Sequence, residues 1–391
     1  MEQKSKPKIV LINGLSQKAN YSVLDAGLRL GRVLRTLSSD LTWICTNIPF
    51  ENPADNTLTL VRVESRYKMV EEEPFLKVIF LYLLYQMKIV LALLKQIICS
   101  KVDIVNFAWG ADLSVLPILL CRLTGKKVII RSDGRPSLSH VDYFQRSSSG
   151  IMAQAKIQLY RIVEAVSYSL ANKIAPECSY MVERYNLHKY SNKLSIAGQY
   201  VDTDTFYETK KLAERKYTVG YVGRFSKEKG ILEFVEALPL ILKDAHYKVL
   251  IIGDGDLKEE IKDILAKNSI QSRVELLGWV EPEKLPRYLN SLKLLVLPSY
   301  YEGMPRIILE AMACGTPVLA TPVGCTPEVI KDSETGFMME SNAPEIIAEN
   351  VRRVLKYPDL QKIATNARNL VKSDYTYETV LENYKTILAS L

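Results

Sequence analysis

Short apolar runs alternate with longer amphipathic segments along the first half of the chain. Each run is long enough to cross a buried sheet, and each amphipathic segment has helical spacing of its apolar positions. The runs predict strands at 8–13, 41–46, 103–108 and 126–132. The longer segments predict helices at 21–37, 75–100 and 112–124. Strands that alternate with helices indicate βαβ units and a parallel sheet.

The same alternation starts again in the second half. Apolar runs predict strands at 217–223, 247–253, 273–278, 292–298 and 316–321. Helices are predicted between them at 229–242, 256–269, 282–290 and 305–314, with terminal helices at 343–356, 359–372 and 375–390. The second half therefore predicts a second doubly wound domain.

The join between the two patterns falls at about 197–217, where the chain is polar and lacks core periodicity. We therefore predict an α/β protein with two Rossmann-like doubly wound domains, an N-terminal one at 1–200 and a C-terminal one at 201–374. Ligands of such sheets bind beyond the carboxyl ends of the strands. A site in a cleft between the two domains is the expectation.

The predicted helix at 75–100 is about as long as a membrane span. Lys77, Gln86, Lys88 and Lys95 interrupt its apolar sequence, and a charge in mid-membrane is costly. We favour a buried crossover helix before the strand at 103. A basic amphipathic helix lying on a membrane is the alternative.

Charge is unevenly distributed along the 391 residues, whose net charge is +7. Residues 1–200 hold 26 Lys and Arg against 16 Asp and Glu, whereas residues 201–391 hold 25 against 28. The basic half predicts an anionic partner, such as an anionic membrane surface or a phosphate-bearing acceptor. A merely solvated basic surface is the alternative. Nucleic acid is not expected, because no basic and aromatic recognition motif is present.

Two features bear on where the protein works. The apolar run after the basic start "MEQKSKPK" is too short for a signal peptide, so a cytoplasmic protein is expected. The six cysteines include no CxxC pair, so neither a zinc site nor a thioredoxin-like motif is suggested.

The stretch "GYVGRFSKEKG" at 220–230 ends a predicted strand, turns at a glycine and opens a helix. Such a turn presents backbone N–H groups and a positive dipole end to an anion. Arg224 and Lys229 add two cations, which together suit a diphosphate. An ordinary charged surface loop is the alternative interpretation.

The stretch "SYYEGMPRIILE" at 299–310 follows the strand predicted at 292–298. Pro305 is expected as the first helical residue, with backbone N–H groups near Met304, Arg306 and Ile307 directed at a ligand. Glu302 in the loop and Glu310 in the helix would then accept hydrogen bonds from opposite ends of an extended, hydroxyl-bearing ligand. Small residues that follow, Gly324 among them, would let backbone approach that ligand closely.

These motifs resemble those of a known family. "EGMPRIILE" is similar to the E-x7-E pattern of the GT-B glycosyltransferases of the large retaining group 4, and "EAMACGTPVLATPVGCTPEVI" continues the match. "VGRFSKEKG" resembles the diphosphate loop of that family. "IIGDGDLKEEI", "VELLGWVEPEKLPRYLNSLKLLVLPS" and the linker "YVDTDTF" also correspond. The resemblance is close over about 217–340 and looser before 200.

The resemblance implies a nucleotide-sugar donor, such as a UDP-sugar, in the second domain. Arg224 and Lys229 would bind its diphosphate and Glu310 its ribose. Glu302, with the backbone at Gly303 and Met304, would hold the sugar, and the backbone near Val280 would meet the base.

The rest of the chain would serve the acceptor. The first domain would bind a glycan or lipid-linked acceptor, and the helix at 375–391 would pack back on that domain. No cofactor and no metal would be required. The family implies that the anomeric configuration of the sugar is kept, and that the enzyme works in the cytoplasm or on the inner membrane face.

The first domain departs from the pattern of the family at two positions. Asp133 stands where the family often has a histidine, and it is either an acceptor or sugar contact or an Asp-Gly turn former. His140 is a weaker candidate. The first loop has only Gly14, where paired glycines are usual, so Gly14 and Asn13 are the expected contacts there. The D-x-D sequence at 202–204 imitates a metal motif but is interpreted as a turn.

Two other functions stay open from the sequence. One is a GT-B nucleotide-sugar epimerase. The other is a noncatalytic subunit that binds a nucleotide sugar, which the departure at Asp133 allows. Turnover with an acceptor would distinguish a transferase from both. The identity of the sugar, base and acceptor and the oligomeric state do not follow from these motifs.

Overall fold

The computed structural model describes residues 6–13, 21–46, 58–64, 75–110, 113–132, 151–244 and 246–391. Its chain divides into two compact units. Unit 1 comprises residues 1–197 and 381–391, and unit 2 comprises residues 198–380. Both boundaries lie a few residues from those predicted, and the second falls within the last helix.

Unit 1 is built on a six-stranded parallel sheet in the order β3-β2-β1-β4-β5-β6. Its strands are β1 (Lys8–Asn13), β2 (Asp40–Thr46), β3 (Thr59–Val63), β4 (Ile104–Ala108), β5 (Lys127–Ser132) and β6 (Lys173–Pro176). Its helices are α1 (Tyr21–Leu37), α2 (Phe75–Ser100), α3 (Val115–Leu123), α4 (Ile151–Leu170) and α5 (Ser179–Arg184).

The sheet of unit 1 is buried on both faces through its central strands. Every described residue of β4 is buried, and β1 is buried beyond its first residue. That burial explains why the central strands have near-continuous apolar sequences. Two strands of this sheet were missed from the sequence. β3 is an edge strand with exposed positions, and β6 has only four residues, so neither gives a long apolar run.

Unit 2 repeats this architecture in the order β12-β11-β10-β7-β8-β9. Its strands are β7 (Val219–Val222), β8 (Val249–Ile252), β9 (Val274–Leu277), β10 (Leu295–Leu297), β11 (Val318–Ala320) and β12 (Phe337–Met338). Its α-helices are α6 (Ile231–Ile241), α7 (Lys258–Lys267), α8 (Leu285–Leu289), α9 (Arg306–Ala313), α10 (Thr326–Val329), α11 (Pro344–Leu355) and α12 (Leu360–Asp374).

The pairs of described strands in each unit are parallel, so their carboxyl ends meet at one edge of each sheet. In both units the order of strands reverses its direction beside the first strand, β1 or β7. This is the doubly wound arrangement, and it confirms the predicted α/β class with two Rossmann-like domains. The reversal places the ligand-binding edge of unit 2 at the loops after β7 and β10.

The last helix, α13 (Tyr377–Ala389), extends from unit 2 into unit 1. Within unit 1, Arg131 at the end of β5 donates to the Tyr384 hydroxyl across 3.2 Å. Asn383 also donates to the carbonyl of Ala197 at 3.5 Å. The end of the chain is therefore attached to the first sheet by polar contacts as well as by packing.

Candidate active site

Two loops at the carboxyl edge of the second sheet form the candidate site. The diphosphate loop, residues 223–230, follows β7, and the acid loop, residues 298–305, follows β10. Backbone bonds join them, because the carbonyl of Glu228 accepts from the amides of Tyr300 at 2.9 Å and Tyr301 at 3.4 Å. β7 and β10 are neighbours in the sheet, so this pairing follows from the strand order.

Gly230 allows the two loops to approach this closely. Its φ of +65° lies in the left-handed region, which favours glycine. A Cβ added there would lie 2.0 Å from the carbonyl oxygen of Pro298. The glycine that ends the diphosphate loop is therefore required by its contact with the acid loop.

Lys229 and Glu302 meet where the two loops join. The Lys229 ammonium donates to Glu302 Oε2 at 2.6 Å, and the Ser299 hydroxyl donates to Glu302 Oε1 at 2.8 Å. The side chains of Lys229 and Glu302 are 25% and 10% exposed. Partial exclusion of water strengthens this charge-assisted pair relative to a pair on the open surface. The structure thus brings together a residue predicted to bind the diphosphate and a residue predicted to bind the sugar.

Arg224 lies on the solvent side of the diphosphate loop. Its side chain is 53% exposed, and its guanidinium lies 3.5 Å from Glu228 Oε1. The same carboxylate oxygen also accepts from the Ser226 hydroxyl at 2.6 Å. A long, exposed ion pair contributes little to stability, so the Arg224 guanidinium can exchange this partner for a phosphate at small cost.

Arg306 and Ile307, both predicted to face a ligand, form the start of α9. The helix begins at Arg306, and Pro305 precedes it as the N-cap with an extended ψ of 98°. The expectation that Pro305 is the first helical residue was therefore wrong. A proline fixes φ but not ψ, and the ψ of Pro305 is not helical. The first amides of any helix lack acceptors within it, which places those of Arg306 and Ile307 at the end of the acid loop.

Glu310 lies inside α9 and is buried, with 8% of the residue exposed. Met304 is also buried, whereas Gly303 and Ile307 are partly exposed. A buried carboxylate within an apolar helix is costly unless it is bound by polar groups. Its burial excludes the solvated surface position that an ordinary amphipathic helix would give it.

A third loop supports the acid loop from behind. The amide of Cys325 donates to the carbonyl of Gly303 at 2.8 Å. Gly324 has a φ of +55°, and a Cβ there would lie 2.2 Å from that same carbonyl oxygen. The close approach that Gly324 permits in this structure is to the backbone of the acid loop, and its expected approach to a ligand stays a prediction.

The predicted base-binding segment follows β9 at the same edge of the sheet. Val280 is partly exposed and Trp279 is 49% exposed. β9 lies two strands from β7 in the order β7-β8-β9. This separation places Val280 away from the Lys229–Glu302 pair but along the same row of loops, as an extended ligand requires.

The candidates in unit 1 fall largely outside the described residues. Gly14, Asp133 and His140 are not among them, so their expected roles stay predictions. Asn13 is described at the end of β1, where its side-chain oxygen accepts from the Trp43 indole at 3.1 Å.

The D-x-D sequence forms the turn that was expected of it. The Asp202 carboxylate accepts from the backbone N–H of Asp204 at 3.1 Å and from the Thr205 hydroxyl at 3.1 Å. In the part of the chain that the structure describes, no group of three or more His, Cys, Asp or Glu could hold a metal ion.

Sequence reasoning missed one residue that orients Glu302 and another that attaches the acid loop to α6. Ser299 holds one oxygen of Glu302, and the Tyr300 hydroxyl donates to Glu233 Oε1 in α6 at 2.7 Å. The signal was present as a serine three residues before the glutamate in "SYYE". Buried Tyr221 also adjoins the site. Its pKa is raised well above its ordinary value, first by burial and then by the carboxylates of Glu302 and Glu228.

A second missed cluster lies in unit 1, at the carboxyl ends of β5 and β6. Arg131 and Glu177 form a buried ion pair at 2.8 Å, with side chains 5% and 2% exposed. The Arg131 guanidinium also lies 5.9 Å from the ring centroid of Trp109. The signal for this cluster was the arginine within the otherwise apolar strand "KVIIRS".

The second unit matches a known family model, glycosyl transferases group 1, over residues 202–370. N-acetyl-α-D-glucosaminyl L-malate synthase of Bacillus anthracis is 27% identical over 304 residues, which is 75% of this chain and 70% of that protein. A capsular polysaccharide biosynthesis glycosyltransferase of Staphylococcus aureus is 27% identical over 181 residues, 45% of this chain and 47% of that one. The chain spans 41%, 70% and 50% of the lengths of the first three relatives.

Solved structures agree on the fold over almost the whole chain. Anabaena HepE in complex with UDP and glucose superimposes with a TM-score of 0.76 over 98% of this chain and 100% of that one, at 15% identity. An identity this low shows a shared fold alone, here the GT-B glycosyltransferase fold. The match to the glycosyl transferases group 1 model is confined to residues 202–370, which lie in unit 2.

Proposed function

We propose that this protein is a retaining glycosyltransferase, which moves a hexose from a nucleoside-diphosphate sugar to a glycan or lipid-linked acceptor in cell-surface polysaccharide or glycolipid synthesis. The observation that carries the proposal is the 2.6 Å pair between Lys229 and Glu302, which joins a cationic loop to an acid loop at the ligand-binding edge of a Rossmann-like sheet. The relatives named for capsular polysaccharide and for an N-acetylglucosaminyl product support it.

Each part of a nucleotide sugar has a partner along this edge. The diphosphate would lie against Arg224, Lys229 and the first amides of α9. The ribose would reach Glu310, and the base would meet the backbone near Val280. The sugar would lie at Glu302, Gly303 and Met304. The complex of HepE with UDP and glucose makes a uridine nucleotide the first to test.

The chemistry follows from where charge develops. Breaking the bond between the sugar and the diphosphate leaves negative charge on the leaving group. Arg224, Lys229 and the start of α9 are cationic or carry positive dipole ends, and such groups stabilise a transition state when they are aimed at developing charge. No step in this proposal uses a cofactor or a metal. Retention of configuration would follow if the acceptor attacks from the face that the diphosphate leaves.

The acceptor side of the proposal rests on unit 1. Asp133 and Gly14 stay the predicted contacts there, and Asp133 is the candidate to assist the acceptor hydroxyl. The protein would act in the cytoplasm, and a lipid-linked acceptor would bring it to the inner face of the membrane.

Calorimetry with UDP, GDP and ADP, without metal, tests the donor site. We expect one nucleotide to bind the wild type and to bind Lys229→Ala at least tenfold more weakly, because the ammonium that faces the diphosphate is lost. Lys227→Ala is the matched control, since Lys227 is exposed in the same loop and no described contact involves its side chain. Equal loss in both variants would reduce the effect to loop charge, and no binding by the wild type would contradict the donor site. Turnover with an acceptor then separates a transferase from a binding subunit.

A further inference from the structure

Helix α2 of unit 1 has two contrasting faces. One face is part of the core, where Tyr85, Ile89 and Leu93 are buried. The other face exposes a continuous apolar stripe at helical spacing, formed by Phe80, Leu83, Leu84, Met87, Leu91 and Ile98. The prediction of a buried crossover helix was therefore only half right. α2 does connect β3 to β4, but large apolar side chains on it remain in contact with solvent.

The apolar stripe continues onto the two neighbouring helices. From β3 to β4, from β4 to β5 and from β5 to β6, the chain moves in the same direction across the sheet. α2, α3 and α4 make these three connections, and right-handed crossovers in one direction place all three helices on one face of the sheet. α3 packs against both α2 and α4. The exposed apolar side chains on α3 and α4 are Leu119, Leu123, Leu159, Ile162 and Val166. We call the exposed apolar residues of these three helices the apolar face. Exposed apolar side chains that cluster on adjoining helices are typical of an interaction site.

Positive charge lines this surface. On a helical wheel, Lys77, Lys88 and Lys95 fall along one border of the α2 stripe, and all three are exposed. The Lys88 ammonium donates to the backbone carbonyl of Glu64 at 2.7 Å, which also brings one exposed acid to this border.

The three helices are basic as a group. Their sequences contain six basic residues, Lys77, Lys88, Lys95, Arg122, Lys156 and Arg161. They contain one acid, Glu164, which is buried. The helices that carry the apolar face therefore have six basic residues against one acid in their sequences, so they supply little opposing negative charge of their own.

From these observations we propose that the apolar face is a docking surface for an anionic lipid bilayer, on which α2 lies parallel to the membrane plane. Apolar side chains would enter the boundary between headgroups and acyl chains, and the lysines would reach anionic headgroups. Apolar burial and attraction to anionic lipid then act together.

The structure favours this placement over a membrane-spanning helix. The segment Ile79–Ser100 is long and apolar enough to cross a membrane. However, the buried amide of Gln86 donates to the carbonyl of Leu113 at 3.4 Å and accepts from the amide of Leu116 at 3.3 Å. The Tyr82 hydroxyl donates to the same Leu113 carbonyl. A spanning helix would have to break these contacts and bring Lys88 to the middle of the bilayer.

The same charges disfavour a second copy of the chain as the occupant. A two-fold dimer places the same patch of both copies face to face. If the two copies of α2 run antiparallel in such a dimer, their lysine borders lie on the same side, and like charges repel most strongly where water is excluded. An anionic bilayer instead pairs each cation with an opposite charge.

Flotation of the full chain with vesicles tests the proposal. Wild-type protein is expected to float with vesicles of phosphatidylcholine and phosphatidylglycerol, and at least tenfold less with phosphatidylcholine alone. Leu91→Glu combined with Ile98→Glu should reduce binding to the anionic vesicles by tenfold or more. Tyr207→Glu, which changes a half-exposed aromatic in unit 2, is the matched control and should bind like wild type. Equal flotation of the double variant and wild type would overturn the proposal.

A charge arm uses the triple variant Lys77→Gln, Lys88→Gln and Lys95→Gln. We expect it to lose at least tenfold in binding to anionic vesicles. The triple variant Lys243→Gln, Lys267→Gln and Lys356→Gln in unit 2 loses the same charge and should keep the affinity of the wild type. Equal loss in both triple variants would indicate net charge alone and would contradict a defined surface.

Two further readouts separate the other occupants. An alkaline carbonate wash should release the wild type from membranes, and protein that stays behind would indicate a spanning helix. Light scattering should give the same mass for the wild type and the Leu91→Glu, Ile98→Glu variant. A dimeric wild type and a monomeric variant would instead identify a second copy of the chain as the occupant. Nucleotide calorimetry on the same variants controls for folding, and its outcome is independent of the docking surface because the donor site is in unit 2.

Discussion

Lys229 donates to Glu302 across 2.6 Å, although 73 residues separate them in the chain. The two residues belong to different loops, and each was expected to bind a different part of the donor. Without a ligand they neutralise each other. A nucleotide sugar would then bind by exchange, with its diphosphate taking over the ammonium and its sugar hydroxyls taking over the carboxylate. The local charge stays nearly balanced before and after such an exchange.

Glu302→Gln is expected to separate binding of the nucleotide from transfer. The amide keeps the shape of the carboxylate and can still accept from Ser299, but it no longer neutralises Lys229. We expect the nucleotide to bind about as tightly as to wild type or up to about fivefold more tightly, since a partly exposed ion pair is worth ~1 kcal/mol. Turnover should fall by about 100-fold or more, as when a group that acts on the transition state is lost.

Calorimetry with the nucleotide and steady-state turnover measure these two effects. Glu236→Gln is the matched control, because Glu236 is exposed on α6 and no described contact involves its side chain. A large loss of nucleotide affinity in Glu302→Gln would instead show that the carboxylate helps to hold the diphosphate.

Gly324→Ala should destabilise unit 2 and disturb the acid loop. A Cβ at this position would lie 2.2 Å from the Gly303 carbonyl oxygen and 2.4 Å from that of Glu302. The positive φ adds strain, so we expect the free energy of unfolding to fall by about 2 kcal/mol or more. Chemical denaturation provides the measurement.

Gly31→Ala is the matched control for that substitution. A Cβ at Gly31, within α1, meets nothing within 4 Å. Since alanine favours a helix over glycine by ~1 kcal/mol, this variant should be as stable as wild type or more so. Wild-type stability and turnover in Gly324→Ala would show that the acid loop tolerates displacement.

Arg131→Met should destabilise unit 1 by about 3–5 kcal/mol, because the buried Glu177 carboxylate would lose its guanidinium partner. The double variant Arg131→Met, Glu177→Leu removes both charges and should recover much of that loss. Thermal or denaturant unfolding of the two variants and the wild type forms the comparison. If the double variant were less stable than the single variant, the main cost of Arg131→Met could not be the unpaired charge left on Glu177.

Stability should fall at alkaline pH through buried thiols. Burial raises the pKa of Cys314, beside the C-terminus of α9, to about 12. The unfolded chain therefore releases this proton at lower pH than the folded chain. The contribution is fully present below the unfolded pKa, near 9, and is lost as the pH rises towards 12. Between these values the slope is up to about 1.4 kcal/mol per pH unit for one group.

Cys314→Ala is expected to make the loss of stability between pH 9 and 10.5 less steep. Denaturation at pH 7.5, 9 and 10.5 measures the slope, and Cys99→Ala provides the control because Cys99 is exposed. An unchanged slope in Cys314→Ala would assign the alkaline loss to other buried groups, such as Tyr221, whose pKa is also raised by burial.

The sequence by itself determined the fold class and the two loops of the candidate site. Buried parallel strands need apolar side chains on both faces, so they appear as continuous apolar runs. The loops after β7 and β10 contain Gly, Pro and paired charges that few structural roles require together. Edge strand β3 and the short strands β6 and β12 escaped notice, because half-exposed strands and strands of two to four residues leave no such run.

Tertiary structure decided which residues meet. No spacing in the chain brings Lys229 to Glu302, orients Glu302 through Ser299, or sets Gly324 against the acid loop. These contacts depend on β7 and β10 lying side by side, which is a property of the strand order. The exposure of one face of α2 was undecided for the same reason. An apolar helix has the same sequence whether one face or both are covered, and only the packing around it determines how much remains exposed.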